Sequence, residues 1–153
     1  MAYLKDKKWL IYSLITFVLF VFIQALFFKF TGSEETVIIF STIASWMENI
    51  GLLWIAPIFK SYGGYTVGAI ELLICLLLLV PSTRRLGAIL GILIMSGAIF
   101  FHLFTPLGVN RIIDAQGNTD NGVLFYMACG VWLSCLLIFI FSKPPKTTRS
   151  VYR

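Results

Sequence analysis

The sequence predicts an all-α membrane protein, a bundle of four transmembrane helices with a short interfacial or re-entrant helix between the first and second. Three observations predict it. The chain is 59% hydrophobic and only 12% charged, with mean hydropathy +0.91, whereas a soluble domain carries charge on about a quarter of its residues. Four apolar stretches approach or reach the length of about 20 helical residues needed to cross a hydrocarbon core about 30 Å thick. The segments between them are basic on one side and mixed or acidic on the other, the asymmetry that loops acquire under the positive-inside rule. The 153 residues read as one domain.

The elements follow in order. Met1–Lys8 is a short basic tail. The first span runs about Trp9–Phe30, with Trp9 and Tyr12 suited to the membrane interface and Gln24 and Lys29 as its polar members. It is too long for the apolar core of a signal peptide and no small-residue cleavage site follows, so it is expected to stay. Thr31–Glu35 breaks the span. Thr31 or Ser33 can cap a new helix, and Glu34 and Glu35 suit a first turn beside the positive dipole end. Thr36–Ile50 is too short and too polar to cross. Gly51–Phe59 is a second apolar piece, stopped by Pro57, so residues 36–59 form the interfacial segment, and Lys60–Gly64 reads as a turn. The second span is about Tyr65–Val80, followed by the tight basic turn Pro81–Arg85. The third is about Leu86–Thr105, with Gly87 and Gly91 forming a GxxxG for close helix packing. Pro106–Asn121 is a polar loop. The fourth span is about Gly122–Phe141, with Gly122, Tyr126 and Gly130 on one stripe. Lys143–Arg153 is a basic, proline-broken tail.

Charge sets the orientation. With four spans, both termini and the Arg84–Arg85 turn share one side, and that side holds nine of the twelve lysines and arginines. The expected arrangement is a multi-pass protein of the bacterial inner membrane with both termini cytoplasmic. The net charge of +5 flanks apolar spans, so it points to anionic lipid headgroups and not to nucleic acid. Cys75, Cys129 and Cys135 lie inside spans without a CxxC pattern and read as small packing residues.

The chemistry gathers around Glu71. A carboxylate at a helix centre costs about 2.5–3.5 kcal/mol on insertion scales, so it is expected to face protein or a water-filled cavity with a partner. Lys29 near the end of the first span, Glu71 in the second and His102 near the end of the third all fall in the outer half of the membrane, with Gln24 near the depth of Glu71. The expected site is a polar pocket there. Glu71 and His102 are its candidate catalytic pair, Lys29 and Gln24 its donors, and Trp46, Glu48 and Tyr126 its rim. A carboxylate and an imidazole can relay a proton, hold a polar headgroup or orient a quinone carbonyl. The competing explanations are an interhelical bond that only fixes packing and, for Lys29, snorkelling to headgroups. His102 is the only histidine, so bis-histidine haem ligation within the chain is excluded, and nothing in the spacing of Met95 or Met127 argues for His/Met ligation. No phosphate-binding glycine loop is present.

The run QALFFKFTG, then VIIFSTIASW, then YTVGAIELLICLLLLVPSTRRLGAILGILIMSGAIFFHL resembles the DoxX-like family of small four-helix membrane proteins. The resemblance covers about Gln24–Leu107, with a weaker match from Asp120. The order of G-x-x-E (Gly68–Glu71), apolar run, basic turn and Gly/Ala-rich helix carries it. It implies an inner-membrane protein associated with oxidoreductase assemblies and placed near quinones, with Lys29, Glu71 and His102 at the family's recurring polar positions. The chain has no redox centre of its own, so the resemblance implies an accessory subunit binding a quinone-like or lipid-soluble ligand. Two alternatives stay open: a structural or assembly subunit of a larger membrane complex without a ligand, and a small autonomous enzyme using Glu71 and His102 as acid and base. Membrane lipid is a partner in each case.

Overall fold

A computed structural model describes residues 2–142, with side chains from residue 7 onward. The basic tail expected over Lys143–Arg153 lies outside the described residues. Five helices follow one another: α1 Ala2–Thr31, α2 Glu34–Asn49, α3 Ala56–Leu79, α4 Arg84–Phe104 and α5 Val123–Phe141. Four of them, α1 from Lys7 and the whole of α3, α4 and α5, are long and apolar enough to cross a membrane. The protein is an all-α four-helix membrane bundle, with α2 as the short helix between the first two spans.

The bundle core lies where small and branched side chains from the four spans meet. Val18 and Phe22 of α1, Ile74 and Leu78 of α3, Ala88 of α4, and Val131, Cys135 and Ile138 of α5 are all buried. Large apolar side chains remain on the outside, among them Phe20, Ile23, Leu72, Leu76, Leu93, Leu133 and Ile140. In water such a surface would aggregate; against lipid tails it is the solvated face. Close approach in the core depends on glycines. A Cβ on Gly91 would sit 2.5 Å from Cys135 Sγ, and one on Gly87 would sit 2.9 Å from Leu77 Cβ and 3.1 Å from the Leu78 backbone nitrogen. The GxxxG of α4 is therefore a packing surface within the protein.

The structure corrects the expected start of the second span. Pro57 does not stop an apolar piece; it stands in the first turn of α3, where its missing N–H costs nothing and its fixed φ favours the helix. Lys60–Gly64 is not a turn but continuous α3. Gly63 and Gly64 read as turn residues because glycine usually breaks helices. Here they are buried and let Phe40 and Thr36 of α2 approach: Cβ atoms there would meet the Phe40 ring at 2.5 Å and Thr36 Cγ2 at 3.0 Å. The helix pair α2–α3 is thus locked by small residues facing an aromatic one.

The turn into α2 forms as its residues dictate. Ser33 is the N-cap and accepts from Thr36 N at 3.3 Å. Glu34 and Glu35 occupy the first turn. Thr36 Oγ1 donates back to Phe28 O at 3.2 Å, which ties α2 to the end of α1. With 16 residues, α2 is about 24 Å long at 1.5 Å per residue, short of the about 30 Å core. Cysteines placed at Glu34 and Ser61, one at the start of α2 and one early in α3, are therefore expected to react with an impermeant maleimide from the same side of the membrane. Labelling from opposite sides would refute the four-span arrangement.

At the opposite end, Arg84 is buried. Its Nε donates to Leu78 O at 3.0 Å and its guanidinium lies 5.3 Å from the Tyr12 ring centroid. Arg85 lies 4.4 Å from the Phe139 centroid. These cations cover the ends of α1, α3 and α5, and this is the basic end of the bundle.

Candidate ligand cavity

Between the spans, at the α2 end, lies a cavity of about 590 Å³. Its size falls within the about 300–1,000 Å³ of small-molecule sites. Most of its wall is apolar: Phe22 and Phe28 of α1, Ile39 and Ile43 of α2, Phe59 and Val67 of α3, Ile94 and Met95 of α4, Leu124 and Met127 of α5. A few polar groups converge on it, and they include Gln24, Lys29, Glu71 and His102. Four of the seven residues expected to form the site therefore share one cavity.

The geometry within it is specific. Lys29 Nζ donates to both Glu71 carboxylate oxygens, at 2.7 and 2.6 Å. The side chains are 16% and 3% exposed, so this pair is withdrawn from solvent. Lys29 does not snorkel outward; it turns along α1 toward α3. Gly68, one turn before Glu71, makes this possible. A Cβ there would be 3.3 Å from the Phe30 ring and 3.5 Å from Leu26 Cδ2, so glycine lets α1 come close enough for the pair to form.

His102 is also buried, but it does not bond to Glu71. Its Nδ1 lies 2.7 Å from Gly108 O. A carbonyl only accepts, so Nδ1 carries the proton, and in the neutral ring Nε2 is left as an acceptor. The acid–base pair expected from the sequence is thus two separate groups on one cavity, each held by its own partner. The remaining three expected residues stand outside the wall. Trp46 packs edge-on to Phe100 and Phe101, with centroids 6.2 Å away in both cases, and so supports the wall from behind. Glu48 is exposed at the end of α2, and Tyr126 is 66% exposed on α5.

Sequence reasoning missed the closure of the α2 end. Arg111, in the connection from α4 to α5, is only 1% exposed. It pairs with Glu35 of α2, and its Nε lies 3.2 Å from Asp120 Oδ2. Asp120 in turn accepts from Gly122 N at 3.0 Å and Leu124 N at 3.2 Å, which anchors the loop to the positive end of α5. Glu34 accepts from Ala115 N at 2.8 Å. Glu35, Leu107, Ile113 and Asp120 all line the cavity, so the loop forms a cap stapled to α2. One signal was available: connections between packed helices usually take about 2–8 residues, and this one is far longer. On the cap, hydrogen bonds from the side chain and backbone of Asn118, and from the backbone of Gln116 and Gly117, hold the Asp114 carboxyl below the usual carboxylate range.

Among the described residues, no group of three or more His, Cys, Asp or Glu is arranged to hold a metal ion. The cavity's polar groups can hold a guest. A lysine ammonium has three donors, and two carboxylate oxygens do not exhaust them. Lys29 and Gln24 can donate to an oxygen of a guest, while His102 Nε2 can accept. No protein-family profile, curated protein or solved structure matches the chain.

Proposed function

We propose that this protein is a ligand-binding accessory subunit of an oxidoreductase system in a bacterial inner membrane, oriented with both termini in the cytoplasm. The observation that carries this is the buried Lys29–Glu71 pair in the wall of a mainly apolar cavity. Removing both charges from water costs several kcal/mol per ion, and hydrophobic residues of equal volume would often hold the helices as well. A membrane bundle that needed only packing could be held without the pair. A quinone-like or other lipid-soluble ligand has use for it: an apolar body for the wall, an oxygen that accepts from Lys29 and Gln24 and, where it carries a hydroxyl, a donor for His102 Nε2. The resemblance of the run from Gln24 to Leu107 to DoxX-like proteins supports an accessory role beside a redox partner. The arrangement of Glu71 and His102 fits binding and proton exchange with a bound headgroup.

Mass spectrometry of small lipophilic molecules retained by the purified protein tests the proposal. A stoichiometric lipophile is expected from the native chain and is expected to be lost from His102→Ala. A native protein that retains nothing beyond annular lipid would refute it. Orientation is tested separately. A reporter active only outside the cytoplasm is expected to be silent when fused at Arg153 and active when inserted at Gly117 in the cap; the reverse pattern would overturn the assignment.

A further inference from the structure

The cavity's exposed residues show how a guest would enter. Of all its lining residues, only Gln24, Phe28, Val123 and Leu124 are exposed. They come from two helices. On α1, Val21, Gln24, Ala25 and Phe28 form a stripe at helical spacing, and on α5, Val123, Leu124, Met127 and Ala128 form another. Both stripes belong to the cavity wall. Farther toward the basic end, the same two helices are in contact: a Cβ on Gly130 would lie 3.2 Å from the Phe17 ring. The path along the bundle axis is closed by the cap, where Arg111 joins Glu35 and Asp120.

We propose that the cavity opens sideways, through a portal between α1 and α5, into the leaflet at the α2 end, and that it admits a long-chain amphiphile with an uncharged head. The inference rests on the ligand-binding function proposed above. The rim of the portal is Phe28, Val123 and Leu124, with Gln24 as its one polar member, so it faces hydrocarbon and not water. A charged molecule arriving from solution gains nothing from such a rim. An amphiphile already in the leaflet can pass its chain between Phe28 and Leu124 while Gln24 hands its head inward. The charges inside select the head. Lys29 is balanced by Glu71, while Glu35 and Asp120 share the single cation Arg111, so the excess at the cavity is negative. An anionic head is repelled, while a hydroxyl head accepts from Lys29 and donates to His102 Nε2 and a carbonyl head accepts from Lys29 alone.

The test uses the full chain in lipid nanodiscs and two photoreactive probes. Hexadecanol bearing a diazirine on its chain is expected to label Ile94 and Met95 inside the cavity as well as Phe20 and Ile23 on the lipid face. The fatty acid of the same chain is expected to label the interior about tenfold less, the effect of about 1.4 kcal/mol of charge repulsion, and the lipid face equally. Leu124→Trp fills the rim from an exposed position and is expected to reduce interior labelling by hexadecanol about tenfold, again about 1.4 kcal/mol, with the lipid face unchanged. Val123→Trp repeats the closure at a second exposed site. Interior labelling that survives both closures, or that never occurs in the native protein, overturns the portal. A compact photoreactive quinone analogue separates the two proposals. If it labels Met95 where hexadecanol does not, the portal fails and the binding cavity stands; if neither probe labels the interior, both fail.

Discussion

Glu71→Leu is expected to destabilise the protein by about 3–5 kcal/mol, because it leaves the Lys29 ammonium buried without a counter-ion. The effect is large because Lys29 has no alternative: its side chain is 16% exposed and both its hydrogen bonds go to Glu71. Lys29→Met alone is expected to cost a similar amount, since it strands the carboxylate instead. The double variant Lys29→Met/Glu71→Leu is the informative one. With both charges gone, apolar side chains of similar volume replace the pair, and replacing a whole buried pair is often neutral or stabilising. Thermal unfolding in detergent is expected to show two destabilised single variants and a double variant near the native protein, a coupling well above the about 0.3–0.5 kcal/mol scatter of independent sites.

Stability and function then separate in one molecule. If the pair serves the ligand, the folded double variant is expected to lose the retained lipophile. If it serves only to tether α1 to α3, the double variant keeps every property of the native protein. Glu71→Gln adds a finer distinction, because the amide keeps the shape and one acceptor but loses the charge. A folded Glu71→Gln protein with undiminished ligand occupancy would reduce Glu71 to a packing residue.

The Lys29–Glu71 pair was within reach of the sequence because depth along a span can be counted. A lysine near the end of one span and a glutamate part-way down the next span, which returns, must lie in neighbouring layers, and a membrane supplies few other partners. The four spans were legible for the same reason: the hydrocarbon core imposes one length and one polarity on each. Local propensity misleads where position in the helix or packing overrides it. Pro57 and Gly63–Gly64 carry the marks of a stop and a turn, yet all three lie in α3. In a packed membrane helix, proline at the start is favourable, and glycine earns its place by letting Phe40 approach. The rim was misjudged for a different reason. Trp46, Glu48 and Tyr126, expected at the rim, stand outside the wall, because the sequence does not say which way a side chain turns around the bundle. Arg111 and Asp120 were legible only as loop charges and Glu35 only as a first-turn residue of α2, because their meeting depends on how a long connection folds back over α2.

Gly91→Leu is expected to abolish the fold, and the smaller change Gly91→Ala shows why. The Cβ of alanine at this position would lie 2.5 Å from Cys135 Sγ and 3.5 Å from Cys135 Cβ. Cys135 is fully buried in the core cluster that holds Ile74 and Leu78, so moving its sulfur aside means displacing packed neighbours. Overpacking of this kind costs about 1–3 kcal/mol, and leucine adds a branched side chain where even one carbon does not fit. The cause can be isolated. Cys135→Ala removes the sulfur that the new Cβ would meet, so Gly91→Ala/Cys135→Ala is expected to be more stable than Gly91→Ala, although Cys135→Ala alone opens a small void and costs stability. Gly97 is the control on the same helix. A Cβ there meets nothing within 4 Å, and Gly97→Ala is expected to be tolerated, with a gain of about 1 kcal/mol in helix propensity. Detergent unfolding of Gly91→Ala, Cys135→Ala, their double variant and Gly97→Ala should order these four with Gly97→Ala highest and Gly91→Ala lowest. If Gly91→Ala is no less stable than Gly97→Ala, α4 does not pack against α5 at Cys135, and the bundle would have to be rebuilt with that face of α4 turned to lipid.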